Sequence, residues 1–107
     1  MKTLPDKSKI CIPTLKLIAD YWTLRIIDAL QLGEVRYCEL QRQIDNVNPV
    51  TLTDRLKKLE EARLISRFEE TIDKVSVTYS LTSLGSEVLP IIKSIDRFSE
   101  KAKQTSI

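Results

Sequence analysis

The chain has 107 residues, with 17 Lys plus Arg against 15 Asp plus Glu and a formal net charge of +2. This length favours one domain over residues 1–107. The near-balance of charge excludes a strongly basic nucleic-acid binder, so any cationic contact must be placed locally.

There is no histidine, and Gly33 and Gly85 are the two glycines. No phosphate-cradling loop exists, and no Ser or Cys has a plausible base nearby, so no catalytic residues are assigned and an enzyme is not expected. No cofactor or metal is implied. Cys11 and Cys38 have neither metal-ligand nor disulfide-framework spacing. No apolar run approaches a membrane span and residues 1–10 lack a signal-peptide apolar region, which leads to the expectation of a cytoplasmic protein with no membrane partner. Residues 1–9 and 101–107 are expected to fray.

In chain order, residues 13–19 read as a short helix with Leu15, Leu17 and Ile18 apolar. Asp20 can cap a helix from Tyr21 to Leu32, stopped by Gly33. Trp22, Ile26 and Leu30 form its buried stripe, widened by Ile27. A short helix is predicted from Cys38 to Ile44, then a turn over residues 45–48, then a longer helix from Pro49 to Ala62. Asn48 can cap this helix, and Pro49 suits its first position, where no N–H is required. A short helix, a tight turn and a longer helix form the frame of a helix-turn-helix, here residues 38–62.

At about 100° per residue, Leu52, Leu56 and Leu59 share one narrow stripe of the longer helix. Val50, Asp54, Lys57, Lys58 and Glu61 lie opposite, flanked by Thr51 and Arg55. In a major-groove helix the N-terminal residues reach base edges. Asn48, Thr51, Asp54, Arg55 and Lys58 are therefore the expected base-contacting set. Asn can read adenine, Arg guanine, and a Thr methyl can pack on thymine. Arg36, Arg42 and Lys57 add local positive charge. An ordinary amphipathic surface helix would show the same solvated face, and that alternative stays open.

Residues 65–70 and 75–81 read as two strands. Val75, Val77, Tyr79 and Leu81 alternate with polar residues, and the link over residues 71–74 is short enough for a hairpin. A helix-turn-helix followed by a hairpin (residues 65–81) is a winged helix. Lys74 is the cation of the wing's link, which is expected to position the protein on DNA rather than to specify sequence.

Thr82 caps a final helix over residues 83–104, where Pro90 should introduce a bend. Leu84, Val88, Ile91, Ile95, Phe98 and Ala102 step alternately by four and three residues, a narrow seam of coiled-coil type. The predicted homodimer interface is Leu15 and Ile18 with Val88, Ile91, Ile92, Ile95 and Phe98. The alternative is that the seam packs on the chain's own first helices.

Cys38 stands where the second short helix should be capped, with Gln41 three residues on as in a capping box. A thiol there is a candidate oxidation site; the simpler reading is a small half-buried residue.

Four segments in order resemble the HxlR-type (DUF24) regulators. They are residues 15–18 with Trp22-Thr23-Leu24, residues 36–42, residues 52–60 and residues 79–85; Pro90 also sits where that family often has proline. The likeness runs from about Leu15 to Phe98. It implies a prokaryotic winged helix-turn-helix transcription regulator, within the broader MarR-like group, dimeric through its terminal helices. Many members carry a cysteine just before a proline, used in some as a redox sensor. That position falls on Lys9 here, with Cys11 two residues later. The family's Gly-Lys before the Trp is Asp20-Tyr21, and the glycine that ends its recognition helix is Arg63.

The expected fold is α+β, mostly α: a winged helix-turn-helix with a two-stranded wing and terminal dimerisation helices. The expected function is a homodimeric, sequence-specific regulator of transcription whose partner is double-stranded DNA. A winged-helix module that binds a protein instead, or a redox- or ligand-gated regulator of the same class, remain the alternatives; no effector is named by the sequence.

Overall fold

The computed structural model describes residues 11–71 and 76–105. Its elements are α1 (Ile12–Ile18), α2 (Tyr21–Ala29), β1 (Val35–Arg36), α3 (Tyr37–Gln43), α4 (Pro49–Glu61), β2 (Ile65–Glu70), β3 (Ser76–Leu81), α5 (Ser83–Ser86) and α6 (Leu89–Thr105). The fold is α+β and mostly helical, a helix-turn-helix followed by a hairpin wing.

Helix α2 starts as expected. Asp20 takes an extended conformation and accepts the Thr23 N–H. The helix ends at Ala29 rather than Leu32. The N–H groups of Leu30, Gln31 and Gly33 bond to carbonyls three residues back, which tightens the chain into successive turns before Gly33. Ile26, Ile27 and Leu30 are fully buried, and half-buried Trp22 packs against the same core.

Helix α3 begins one residue earlier than expected. Its cap is Arg36, without a side-chain hydrogen bond, so Cys38 is not a cap and lies exposed within the first turn. Gln41 closes no capping box either; its amide donates to the Val47 carbonyl at 2.8 Å. The turn after α3 carries two left-handed residues, Asp45 at φ 58° and Asn46 at φ 53°. Asn and Asp tolerate that region better than other non-glycine residues.

Helix α4 is capped at both ends. Asn48 Oδ1 accepts the Val50 N–H at 2.7 Å. At the other end Arg63 N–H bonds to the Glu60 carbonyl and Leu64 N–H to the Leu59 carbonyl. That pair of bonds is a Schellman motif. Arg63 supplies its left-handed residue at φ 64°, at the position where the resemblance leads one to expect glycine. Thr82 reinforces the junction: its hydroxyl donates to the Arg63 carbonyl at 2.7 Å and accepts the Gly85 N–H at 3.0 Å. A Cβ on Gly85 would collide with the Leu64 carbonyl, so only glycine lets α5 lie this close to the end of α4.

The wing is the expected antiparallel pair, from Ile65↔Leu81 to Glu70↔Ser76. Strand β1 adds to it through Val35↔Tyr79 and Arg36↔Thr78, giving the order β1-β3-β2. Two residues are too few for a period-two pattern to reveal. The wing's link, Lys74 included, lies outside the described residues.

The expected final helix is two. Residues between Ser86 and Leu89 break it, and Pro90 lies in the first turn of α6. Proline there has no N–H partner to lose, so it opens a helix instead of bending one. Val88, expected at a dimer interface, is instead part of the chain's own core at 6% exposure. That core joins Ile26, Ile27 and Leu30 of the α2 region, Leu40 and Ile44, Leu52, Leu56 and Leu59 of α4, Ile65 and Tyr79.

Candidate nucleic-acid interface

The leucine stripe fixes which side of α4 faces out. Leu52, Leu56 and Leu59 are at 2% exposure or less, each burial stabilising by about 1.5–3 kcal/mol. Val50, opposite, is 78% exposed. Around Val50 on that outer side stand Asp54, Lys57, Lys58 and Glu61, with Thr51 half-buried beside them. Val50 was not among the expected contacts, although its place opposite the leucines is legible from the periodicity alone.

Three braces hold α4 and its turn to the rest of the chain. Arg25 of α2 donates to Asp45 Oδ2 at 3.0 Å and to the Gln43 carbonyl at 3.2 Å, which ties down the turn. Asp45 is the first cause of the upward push on the Arg25 pKa. Tyr37 of α3 shares a hydrogen bond with Thr53 of α4 at 3.3 Å.

The third brace is Arg55. Its Nε donates to Asp20 Oδ2 at 2.9 Å, its Nη2 to Asp20 Oδ1 at 3.2 Å, and its Nη1 to Asp54 Oδ2 at 2.9 Å. All three guanidinium nitrogens are thus held by carboxylates. The Arg55 hydrogen bonds, followed by those from Thr23, hold the Asp20 carboxyl well below the usual range, at about 2. Lys58 Nζ lies 3.3 Å from Asp54 Oδ2 and is the first cause of the lowered Asp54 pKa. The structure therefore strings Thr23, Asp20, Arg55, Asp54 and Lys58 into one network across α2 and α4. The capping role of Asp20 was legible in the sequence; its grip on Arg55 was not, because 35 residues separate the two.

The remaining expected contacts are spread around the same edge. Asn48 sits at the start of α4 and spends its Oδ1 on the cap. Arg36 is exposed at the start of α3, and Arg42 near its end forms an ion pair with Glu39. Each member of that pair stabilises the charge of the other, lowering the Glu39 pKa and raising that of Arg42. Cys38 shares an open cleft of about 400 Å³ with Arg36, Tyr37, Arg67 and Tyr79. Cys11 is exposed at the start of α1, where a hydrogen bond from the Thr14 hydroxyl, at 3.4 Å, lowers its thiol pKa. Among the described residues no cluster of His, Cys, Asp or Glu could hold a metal ion, and no helix is long and apolar enough to cross a membrane.

A helix-turn-helix, a hairpin wing against it, and an amphipathic second helix with its polar side outward narrow the choice of relatives. The sequence matches the HxlR-like helix-turn-helix family over residues 17–106. The chain belongs to that family. It is 36% identical over 89 residues to BH0655, an uncharacterized HTH-type transcriptional regulator of Halalkalibacterium halodurans, covering 82% of this chain and 79% of that protein. The crystal structure of a MarR-family transcriptional regulator from Porphyromonas gingivalis W83 superposes with a TM-score of 0.77 at 34% identity, over 94% of this chain and 93% of that one. The redox regulator HypR in its oxidized form superposes with a TM-score of 0.75 at 26% identity, over 82% of this chain and 91% of that one. This HxlR-like chain is thus a helix-turn-helix transcriptional regulator of MarR-like type.

Proposed function

We propose that this HxlR-like chain regulates transcription by binding specific sites on duplex DNA as a homodimer. The observation that carries the reading is the outer side of α4. It is a capped helix, tied to Asp20 before α2 and to Tyr37 of α3, that turns Val50, Asp54, Lys57 and Lys58 away from three buried leucines. Asn48, Val50 and Thr51, at the N-terminal end, are the candidates to touch base edges. An exposed Val side chain suits a thymine methyl, as the Thr51 methyl does. Asp54 can accept from cytosine or repel a misplaced phosphate. Lys57, Lys58, Arg36 and Arg42 supply phosphate contacts, which set register without carrying sequence information. Lys74, in the link of the wing, is proposed to add a backbone contact. Arg55 is proposed as a strut rather than a base reader, since a base would have to displace two carboxylates.

The dimer reading rests on α1 and α6. Helix α6 has no buried residue, and its seam leaves Ile91, Ile95 and Phe98 between 42% and 71% exposed. Leu15 and Ile18 lie on α1, whose Thr14, Leu17 and Ile18 line one groove with Leu84, Val88 and Ile91. An apolar stripe of this extent is what a second copy would cover. In such a dimer the two α4 helices should stand about 34 Å apart, or a multiple of it, to meet successive major-groove faces.

The test is selection of duplexes from a randomised library, followed by a salt titration on the best binder. Lys58→Ala should weaken binding to all sequences alike and reduce the salt slope by about one. Recovery of no preferred sequence, from a protein that is folded, sinks the reading.

A further inference from the structure

Hydrophobic burial alone does not fix how α4 presents its outer edge. Burial is non-directional, and three leucines in a stripe tolerate small rotations of the helix about its axis. A bidentate carboxylate–guanidinium pair does not, because two parallel N–H···O bonds impose a plane and a direction. Asp20 and Arg55 form such a pair, at 2.9 and 3.2 Å. Asp20 is itself immobilised, since its Oδ2 also accepts the Thr23 N–H and the Thr23 hydroxyl, each at 3.0 Å. Thr23 is buried at 2% exposure on the first turn of α2. The chain of contacts therefore runs from a buried side chain of the core helix to the midpoint of α4.

We propose that Asp20 is a positioning residue for sequence reading: it locks the rotation of α4 through Arg55, so that Asn48, Val50 and Thr51 address the bases at one fixed angle. This rests on the DNA-reading function proposed above. Asp20 touches no DNA in this account, and Arg55 contributes orientation rather than a phosphate contact. Through Arg55 Nη1 the lock continues to Asp54 and on to Lys58, on the outer side of α4.

The experiment uses the full chain, a duplex selected in vitro by the wild type, and a random-sequence duplex. Asp20→Asn keeps one side-chain oxygen for the cap but removes the second acceptor facing Arg55. Arg55→Gln removes the charge and the fork. Urea midpoints establish that each variant is folded at the assay temperature; should Asp20→Asn not fold, Arg55→Gln carries the test alone. The expected result is a fall of about tenfold in the preference for the selected over the random duplex in either variant. Random-duplex affinity and the salt slope should stay at their wild-type values, and the double variant should be no worse than either single one. An unchanged preference in folded Asp20→Asn overturns the proposal while leaving DNA reading intact. A salt slope reduced by about one in Arg55→Gln also overturns it, because Arg55 would then be a phosphate contact. A wild type that selects no sequence overturns the underlying function and the positioning role with it.

Discussion

Helices α4 and α6 carry the same kind of sequence pattern and meet opposite fates. Both show a narrow apolar seam at helical spacing. In α4 that seam, Leu52, Leu56 and Leu59, disappears into the chain's own core. In α6 the seam continues past the core, with Ile91, Ile95 and Phe98 exposed and no residue buried. Helix α4 is closed by a side-chain cap at one end and a Schellman turn at the other, with ion pairs along its flank. Periodicity thus announces that a face needs covering; it does not say by what. One helix is finished by its own chain, and the other leaves its seam exposed.

The largest expected effect breaks the comparison directly. Leu56→Ala should destabilise the fold by about 2–5 kcal/mol, the range for a fully buried leucine, and by the same amount at every protein concentration. Ile95→Asp should act in the other way. Wild-type thermal stability should rise with protein concentration, as mass action requires of a dimer, and this variant should remove that dependence. Light scattering should then report a monomer. A wild type that stays monomeric at micromolar concentration, with a concentration-independent Tm, would place the α6 seam among ordinary exposed faces.

Acid should sharpen the comparison next. The Asp20 carboxyl titrates at about 2 in the folded chain, held down chiefly by Arg55, against roughly 4 when unfolded. A depressed pKa means the stabilisation is complete above about pH 4 and is lost as pH falls through the folded value. Asp20 is 27% exposed at its side chain, so screening reduces its share to on the order of 1 kcal/mol. Asp20→Asn should therefore lose less stability than the wild type in urea titrations between pH 4 and pH 2. An identical acid loss in both proteins would mean that the pair contributes nothing to α4.

Much of this molecule could be read from its residues. Asp20, Asn48 and Thr82 cap where their side chains allow, the leucine stripe of α4 is buried as its spacing requires, and the wing register follows from alternation in β3. What stayed hidden depends on distance along the chain or on very short elements. No local pattern reveals that Asp20 reaches Arg55, or that Val35 and Arg36 pair with β3. Pro90 misled because proline is equally at home in a first turn and at a kink, and only the break before Leu89 decides. Cys38 misled because the chain turns helical one residue before it.

A smaller effect tests how well α4 is finished. Arg63 holds the left-handed position of the Schellman turn at φ 64°, which costs an L-residue roughly 1 kcal/mol. Arg63→Gly should recover about 0.5–1 kcal/mol, somewhat less than the full strain because glycine gains freedom in the unfolded chain. A higher urea midpoint with an unchanged m-value is the expected reading. A loss of stability would mean that the Arg63 side chain contributes more than its backbone conformation costs.

The smallest effect is a rate, and it distinguishes the closed region from the open one without altering either. Cys38 lies in the first turn of α3, the first helix of the helix-turn-helix, in the cleft with Arg36 and Tyr37. Cys11 opens α1, one turn before Leu15 and next to Thr14, which lines the groove shared with Leu84 and Ile91. The Thr14 hydroxyl favours the Cys11 thiolate, the form that alkylating reagents attack. If a second copy covers the α1–α6 face, iodoacetamide should modify Cys11 more slowly as protein concentration rises, while the Cys38 rate stays constant. In Ile95→Asp both rates should be independent of concentration. Thr14→Val should slow Cys11 at neutral pH, a few-fold at most, and leave Cys38 alone. A Cys11 rate that ignores concentration in the wild type would mean that the start of α1 lies clear of the interface, and that α6 must find its cover elsewhere.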